Sequence, residues 1–117
     1  MSRRTERLGA LFRQELSELL RRELRDPRLL QIITITRVEV TPDLQHAWVY
    51  VSVLGQEEEK EAALAALKGA GPYLRHLLGQ RVVLRRIPLL HFQLDESLEE
   101  GDRLLRIIDQ LSRKRGS

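Results

Sequence analysis

The 117-residue chain contains no cysteine. This absence excludes disulfide bonds and thiolate metal sites, and it is compatible with a reducing compartment. No apolar run approaches the ~20 residues that a membrane-spanning helix needs. The N-terminal stretch also lacks the continuous hydrophobic region and the small-residue cleavage site of a secretory signal. We therefore expect a cytoplasmic protein that does not associate with membranes.

Residue patterns that carry catalytic chemistry are also missing. The histidines at positions 46, 76 and 91 have no second ligand at the spacing of a zinc or catalytic site. The acids from Asp95 to Asp102 are explained by capping and dipole effects at a helix start, where Ser97 and Glu100 have capping-box spacing. No serine lies in a nucleophile elbow, and no phosphate-loop signature occurs. The sequence thus predicts a protein that is not an enzyme and has no catalytic residues, metal or cofactor.

The charged residues are unevenly distributed, although the formal net charge is only +3. No acidic residue occurs between Ala62 and Leu94. The basic residues of that interval are Lys68, Arg75, Arg81, Arg85 and Arg86. Such asymmetry indicates one basic surface and a polyanionic partner such as nucleic acid, although a set of solvated arginines would give the same pattern.

The first half of the chain predicts one helix and a β-hairpin. Apolar residues recur every three or four positions over residues 5–25, which is typical of an amphipathic helix that Asp26-Pro27 ends. Residues 31–54 are rich in β-branched residues and contain the turn Thr41-Pro42-Asp43. The apolar positions change from odd to even numbers within the first strand, so we predict a bulge near Thr36-Arg37.

The second half predicts helices on both sides of a third strand. A helix begins after Gly55 and reaches Gly69-Ala70-Gly71, where we expect a break. Pro72 suits the first position of a new helix, and Gly79 suits its C-cap. A strand follows at Leu90–Leu94, and then a last helix from Ser97. The predicted class is α+β, a three-stranded sheet packed by helices.

Two features of this pattern have open interpretations. The glycines of Gly69-Ala70-Gly71 could form a phosphate cradle at a helix start, but Pro72 removes one donor, and a tight kink between two helices explains them equally well. Trp48 and Tyr50 lie on the strand face opposite its valines. That face could stack nucleobases or be partly covered by a neighbouring loop.

Several short motifs resemble one family. They are the Glu23–Arg28 junction, the hairpin of Val38–Leu44 with Ala47–Val51, and the C-terminal groups Leu77–Gly79, Arg86–Phe92, Asp95–Ser97 and Gly101. In order and spacing they are similar to those of bacterial ribosome-binding factor A. The resemblance covers the chain from about Arg3 to Ile108.

This resemblance implies a type II KH-like single domain in which a helix–kink–helix replaces the glycine-rich nucleic-acid loop. We expect the domain to span residues 1–112, followed by a short basic tail at 113–117. The family's kink carries an Ala-x-Gly pattern, whereas this chain has Gly69 in place of the alanine. The extra glycine is expected to make the kink more flexible.

The resemblance also implies the function. Members of the family bind the free small (30S) ribosomal subunit, assist late maturation of 16S rRNA near its 5′-terminal helix and support growth in the cold. We expect a monomer that contacts RNA without catalysis. The expected contact residues are Lys68, Gly69, Ala70, Gly71, Arg75, His76, Arg81, Arg85 and Arg86, with Arg3 and Arg4 extending the contact. The alternative is an adaptor that binds an acidic protein through the same basic face.

Overall fold

The computed structural model describes residues 3–23 and 33–96. Five elements follow in the order α1 (Arg3–Glu23), β1 (Ile33–Val40), β2 (His46–Val53), α2 (Glu57–Arg81) and β3 (Leu89–Leu94). The strands form one mixed sheet in the order β1-β2-β3, with β2 antiparallel to β1 and parallel to β3. The predicted α+β class is confirmed. The predicted helix stop at Asp26-Pro27, the helix from Ser97 and the tail at 113–117 lie outside the described residues.

The hairpin formed by β1 and β2 contains the predicted bulge. The register shifts between Ile35 and Arg37, so that Ile35 pairs with Val51 while Arg37 pairs with Tyr50. Because the bulge inserts one residue, the apolar side chains on both sides of it face the core. The predicted change from odd to even positions is therefore confirmed.

A side-chain network stabilises the hairpin turn. The Asp43 carboxylate accepts hydrogen bonds from the Thr41 hydroxyl at 2.6 Å and from the Gln45 backbone N–H at 3.1 Å. Leu44 adopts a left-handed conformation with φ 60°, which is uncommon outside glycine and asparagine. The two bonds to Asp43 hold the chain on either side of this strained residue. Such side-chain hydrogen bonds are typical of the turn that the sequence Thr41-Pro42-Asp43 predicts.

The core lies between the sheet and the two described helices. Its most deeply buried side chains include Phe12 and Leu16 from α1, Val49 and Val51 from β2, and Leu74 and Leu78 from α2. Burial alternates along β2, as expected for a strand with one covered face. Neither described helix is both long and apolar enough to cross a membrane.

Helix α2 differs from the prediction because it continues through Gly69-Ala70-Gly71 and Pro72 as one element. Its buried residues are Ala63, Leu67, Gly71, Leu74 and Leu78. They follow one another at spacings of three and four, so a single apolar stripe passes through the glycine region. The predicted break between two helices is therefore wrong.

The packing of this stripe explains why the helix persists. Proline inside a helix costs about 3 kcal/mol relative to alanine. Burial of a leucine side chain contributes about 1.5–3 kcal/mol, and three leucines of the stripe are buried across the interruption. Gly79 is likewise not the C-cap, because α2 ends at Arg81 and the extended Val82 follows it.

Candidate functional site

One face of α2 carries three of the predicted basic contact residues. Lys68, Pro72, Arg75 and Gly79 lie at spacings of three and four, and His76 directly follows Arg75. These residues therefore share a stripe of the helix surface next to the buried one. Lys68 and His76 are exposed, whereas Arg75 is half-buried. The structure therefore places Lys68, Arg75 and His76 on the same side of the molecule.

The chain from Val82 to Pro88, which we call the arginine loop, lies against this stripe. A cleft of about 460 Å³ separates the two and is lined by Pro72, Arg75, His76, Gly79, Gln80, Arg86 and Ile87. Arg86 reaches the cleft from the loop side, and His76 and Gln80 reach it from the helix. An arginine, a histidine and an amide at one concave surface can donate hydrogen bonds to an anion such as phosphate.

Arg75 holds the arginine loop against α2. Its Nε donates hydrogen bonds to the carbonyl oxygens of Ile87 at 2.9 Å and Pro88 at 3.2 Å, and its Nη2 donates to the Ile87 oxygen at 2.6 Å. A lysine could not reproduce this planar fork of donors. The guanidinium therefore has a structural role, which the sequence did not reveal because its partners are backbone atoms.

Side chains of the arginine loop alternate between the core and the solvent. Val82 and Pro88 are buried, and Leu84 packs against the core. Val83, in contrast, is fully exposed, with a relative accessibility of 103%, and Arg85 and Arg86 are exposed. The loop is thus anchored along its length while it presents two arginines to solvent.

Arg81 joins α2 to α1. Its Nη1 lies 2.7 Å from a carboxylate oxygen of Glu15 and 2.7 Å from one of Glu18. The hydrogen bond to Glu18, with a second to Glu15, raises the pKa of Arg81, and the same bond lowers the pKa of Glu18. Two carboxylates pair with this charge, so Arg81 has a structural role at the helix–helix interface, and its contact with RNA stays a prediction.

The three residues of the predicted kink have different environments in the structure. Gly69 is exposed, and an added Cβ there would have nothing within 4 Å. Ala70 is half-buried and lines an apolar groove between α1 and α2. Gly71 is buried, and a Cβ there would lie 3.7 Å from the Phe92 ring. Of the three, Gly69 is the most exposed and Gly71 the most buried, and a contact of these residues with RNA stays a prediction.

Arg3 and Arg4 are exposed in the first turn of α1. Glu6 lies in the same turn. These two arginines thus form a separate basic position at the beginning of the first helix, and they remain predicted contacts.

The sheet face opposite the core carries a cluster that the sequence only partly indicated. The rings of Trp48 and His91 stack with centroids 4.7 Å apart and an interplanar angle of 29°. His46 Nδ1 lies 2.9 Å from His91 Nε2. The Arg37 guanidinium lies 4.1 Å from the centre of the Tyr50 ring. The strand alternation placed Trp48 and Tyr50 on this face, but the histidine partners come from pairing between distant segments.

The described residues contain no group of three or more histidine, aspartate or glutamate side chains that could hold a metal ion. Within that part of the chain, the exposed basic residues and the sheet cluster are the polar features that could recognise a partner.

Comparison with known proteins identifies the family. The family model for ribosome-binding factor A matches residues 4–108. Ribosome-binding factor A of Thermomicrobium roseum is 46% identical over 97% of this chain and 88% of its own length. The protein of the same name from Alkalilimnicola ehrlichii is 49% identical over 92% of this chain and 82% of its own length.

Solved structures agree with the sequence relatives. The crystal structure of ribosome-binding factor A from Thermus thermophilus superimposes with a TM-score of 0.67 at 34% identity, covering 77% of this chain and 94% of that one. A homology model of the T. thermophilus factor, fitted into the cryo-EM map of a complex between a 30S subunit and ribosome-binding factor A, gives a TM-score of 0.65 at 34% identity over 79% and 96% of the two chains. This chain therefore belongs to the ribosome-binding factor A family.

Proposed function

We propose that the protein binds the free small ribosomal subunit through its basic face and assists late maturation of 16S rRNA near the 5′-terminal helix. The observation that carries the proposal is the anchored arginine loop, which presents Arg85 and Arg86 to solvent and places Arg86 at the cleft beside α2. Family membership and the 30S complex into which the T. thermophilus homology model was fitted support the choice of partner. Such a factor acts in the cytoplasm, where ribosomes assemble.

The proposed mechanism is non-catalytic. Arg85 and Arg86 neutralise phosphates of folded rRNA, and His76 and Lys68 add contacts along the same stripe. Because the arginine loop is already held by Arg75, little conformational entropy is lost when it binds. The protein then favours those rRNA conformations to which it binds more tightly, and so shifts their population.

The test is co-sedimentation with isolated small subunits across a series of about 50 to 200 mM salt. We expect Arg85→Ala/Arg86→Ala to weaken binding and to reduce the slope of log affinity against log salt by about 1.5, because each lost phosphate contact removes about 0.7–0.9. Arg21→Ala/Arg22→Ala is the matched control, since it removes two adjacent exposed arginines from the end of α1. An equal effect of both double variants would show that only net charge matters and would remove the arginine loop from the site.

The same preparation separates RNA binding from an adaptor role. If the protein contacts rRNA, it should also bind deproteinised 16S rRNA with a similar salt dependence. Binding to intact subunits but not to naked rRNA would instead favour the adaptor, whose basic face meets an acidic ribosomal protein. Absence of binding to small subunits at low salt would refute the proposed function.

The maturation role has a cellular test. In a bacterium that lacks its own family member, we expect the wild-type chain to reduce unprocessed 16S rRNA and to restore growth in the cold. The Arg85→Ala/Arg86→Ala variant should do neither at equal abundance. Full rescue by this variant would contradict the proposed role of the arginine loop.

A further inference from the structure

The sheet face opposite the core presents two rows of side chains across the three strands. The register places Glu39, Trp48 and His91 side by side in one row, and Arg37, Tyr50 and Gln93 in the next. Side chains directly opposite each other on one face lie close together. Together with His46, these residues form what we call the aromatic face.

The chemistry of the aromatic face differs from that of the arginine loop. The charges of Arg37 and Glu39 largely cancel each other, since Arg37 Nη1 lies 3.0 Å from a Glu39 carboxylate oxygen. What remains accessible are the half-buried rings of Trp48, Tyr50 and His91 and the exposed amide of Gln93. Flat rings with neighbouring amide donors and acceptors suit a nucleobase, which offers a π-face for stacking and polar edges for hydrogen bonds.

A cleft connects the aromatic face to the basic stripe of α2. It has a volume of about 520 Å³, and its lining includes Arg37 and Tyr50 from the sheet, Leu64 and Lys68 from α2, and residues at the end of β3. Lys68 supplies a cation for a backbone phosphate at the helix end of this path.

Two carboxylates also line the cleft, and their negative charge repels a polyanion. Asp95 is buried, and its Oδ2 accepts a hydrogen bond from the Thr36 hydroxyl at 2.6 Å. Glu96 is exposed at the end of the described chain. A nucleic acid at this cleft would therefore be bound mainly by stacking of its bases on the aromatic rings, and less by contacts with a continuous row of phosphates.

We propose that the aromatic face binds unpaired nucleotides of RNA by stacking, and that this contact is separate from the phosphate contacts of the arginine loop. The inference rests on the proposed function, because it takes rRNA as the partner. Duplex RNA is excluded as the ligand of this face, since paired bases are stacked on each other and cannot reach the rings of Trp48 and His91. The face therefore selects unpaired segments of rRNA.

Trp48 provides a direct readout, because it is the only tryptophan in the chain. We expect a single-stranded RNA of about ten nucleotides to quench its fluorescence in a saturable way, while a duplex of the same length does not. Saturable quenching by the duplex alone, or by neither RNA, would overturn the proposal.

A set of variants separates stacking from folding. We expect Trp48→Leu to weaken binding to small subunits about tenfold, because one base–aromatic stack contributes ~1–3 kcal/mol, while the salt slope stays unchanged. Trp48→Phe keeps an aromatic ring and should restore most of the affinity. Tyr73→Leu is the matched control, because it removes an exposed aromatic from α2 without touching the aromatic face.

The outcomes distinguish this inference from the function on which it rests. Normal small-subunit binding by Trp48→Leu, with no RNA-dependent quenching in the wild type, would refute the aromatic face and leave the proposed function intact. Weaker small-subunit binding by Trp48→Leu, with no quenching of Trp48 fluorescence by RNA in the wild type, would indicate that the aromatic face contacts a ribosomal protein. This outcome would also refute stacking on RNA bases. Absence of small-subunit binding by the wild-type protein would refute both the proposed function and the aromatic face as an RNA-binding site.

Discussion

Gly9 and Gly69 show how differently the fold constrains two glycines in helices. Gly9 is buried where α1 crosses β1, and a Cβ added there would collide with the backbone carbonyl oxygen of Val38. Gly69 lies on the exposed side of α2 with open space around it. The first glycine therefore permits close packing of a helix on a strand, whereas the second has no such packing role.

The two positions predict opposite changes in stability. Gly9→Ala should lower the free energy of unfolding by about 1–3 kcal/mol, because the strand backbone must move to admit the methyl group. Gly69→Ala should raise it by about 0.5–1 kcal/mol, because alanine is the better helix former. Urea unfolding of both variants against the wild type measures these values. A stable Gly9→Ala protein would contradict the close approach of α1 to β1.

At the scale of elements, α2 and the arginine loop form one unit that Arg75 holds together. The three hydrogen bonds from its guanidinium satisfy the carbonyl groups just before β3. Ile87 also packs against α2, since a Cβ at Gly79 would lie 3.3 Å from its Cγ1. The loop thereby keeps Arg86 at the cleft and Arg85 in solvent without regular secondary structure.

Limited trypsin digestion tests this role of Arg75, because Arg85 and Arg86 are cleavage sites within the loop. We expect Arg75→Met to accelerate cleavage there about tenfold, the effect of losing roughly 1.5 kcal/mol of charged hydrogen bonding. Lys68→Met serves as the control, since it removes an exposed cation of the same helix. Equal cleavage rates for the wild type and Arg75→Met would indicate that burial of Val82 and Pro88 is sufficient to hold the loop.

At the scale of the whole molecule, polar contacts connect segments that are far apart in the chain. Arg81 links the end of α2 to Glu15 and Glu18 of α1. The contacts of Asp43, in contrast, are local and stabilise the hairpin turn. The hydrogen bond from Arg81 lowers the pKa of Glu18 below its ordinary value of 4.5. Hydrogen bonds from the Thr41 hydroxyl and the Gln45 backbone N–H lower the pKa of Asp43 below 3.8.

These shifts predict a loss of stability in acid. A carboxyl group whose pKa is lower in the folded state stabilises that state above its ordinary pKa, and the contribution disappears as the pH falls through the folded value. We expect the Tm of the wild type to fall as the pH drops below about 4.5. Glu18→Gln should lower the Tm at neutral pH and flatten the acid-induced fall.

Thermal unfolding from about pH 7 to about pH 3 measures this dependence. Glu61→Gln is the matched control, because Glu61 is exposed on α2 and should leave both the Tm and its pH dependence almost unchanged. If Glu18→Gln has the same pH dependence as the wild type, the contact with Arg81 does not contribute to acid sensitivity.

The sequence by itself determined the features that depend on neighbouring residues. The alternation of β-branched residues specified the hairpin and its bulge at Ile35–Arg37, and the three-to-four spacing specified α1. The order of short motifs was sufficient to predict the family. In each case the signal lies within a few residues of the feature, because backbone geometry couples close neighbours most strongly.

Only the tertiary structure decided the features that depend on distant partners. The continuity of α2 through Pro72 follows from the burial of a whole stripe against the sheet, which outweighs the local preference for a break. The pairing of Arg81 with Glu15 spans 66 positions, and that of His46 with His91 spans 45. A basic residue can contact RNA or neutralise a carboxylate, and the sequence alone does not distinguish these roles. The fold separates them, because it places Arg81 between two helices and leaves Arg85 and Arg86 in solvent.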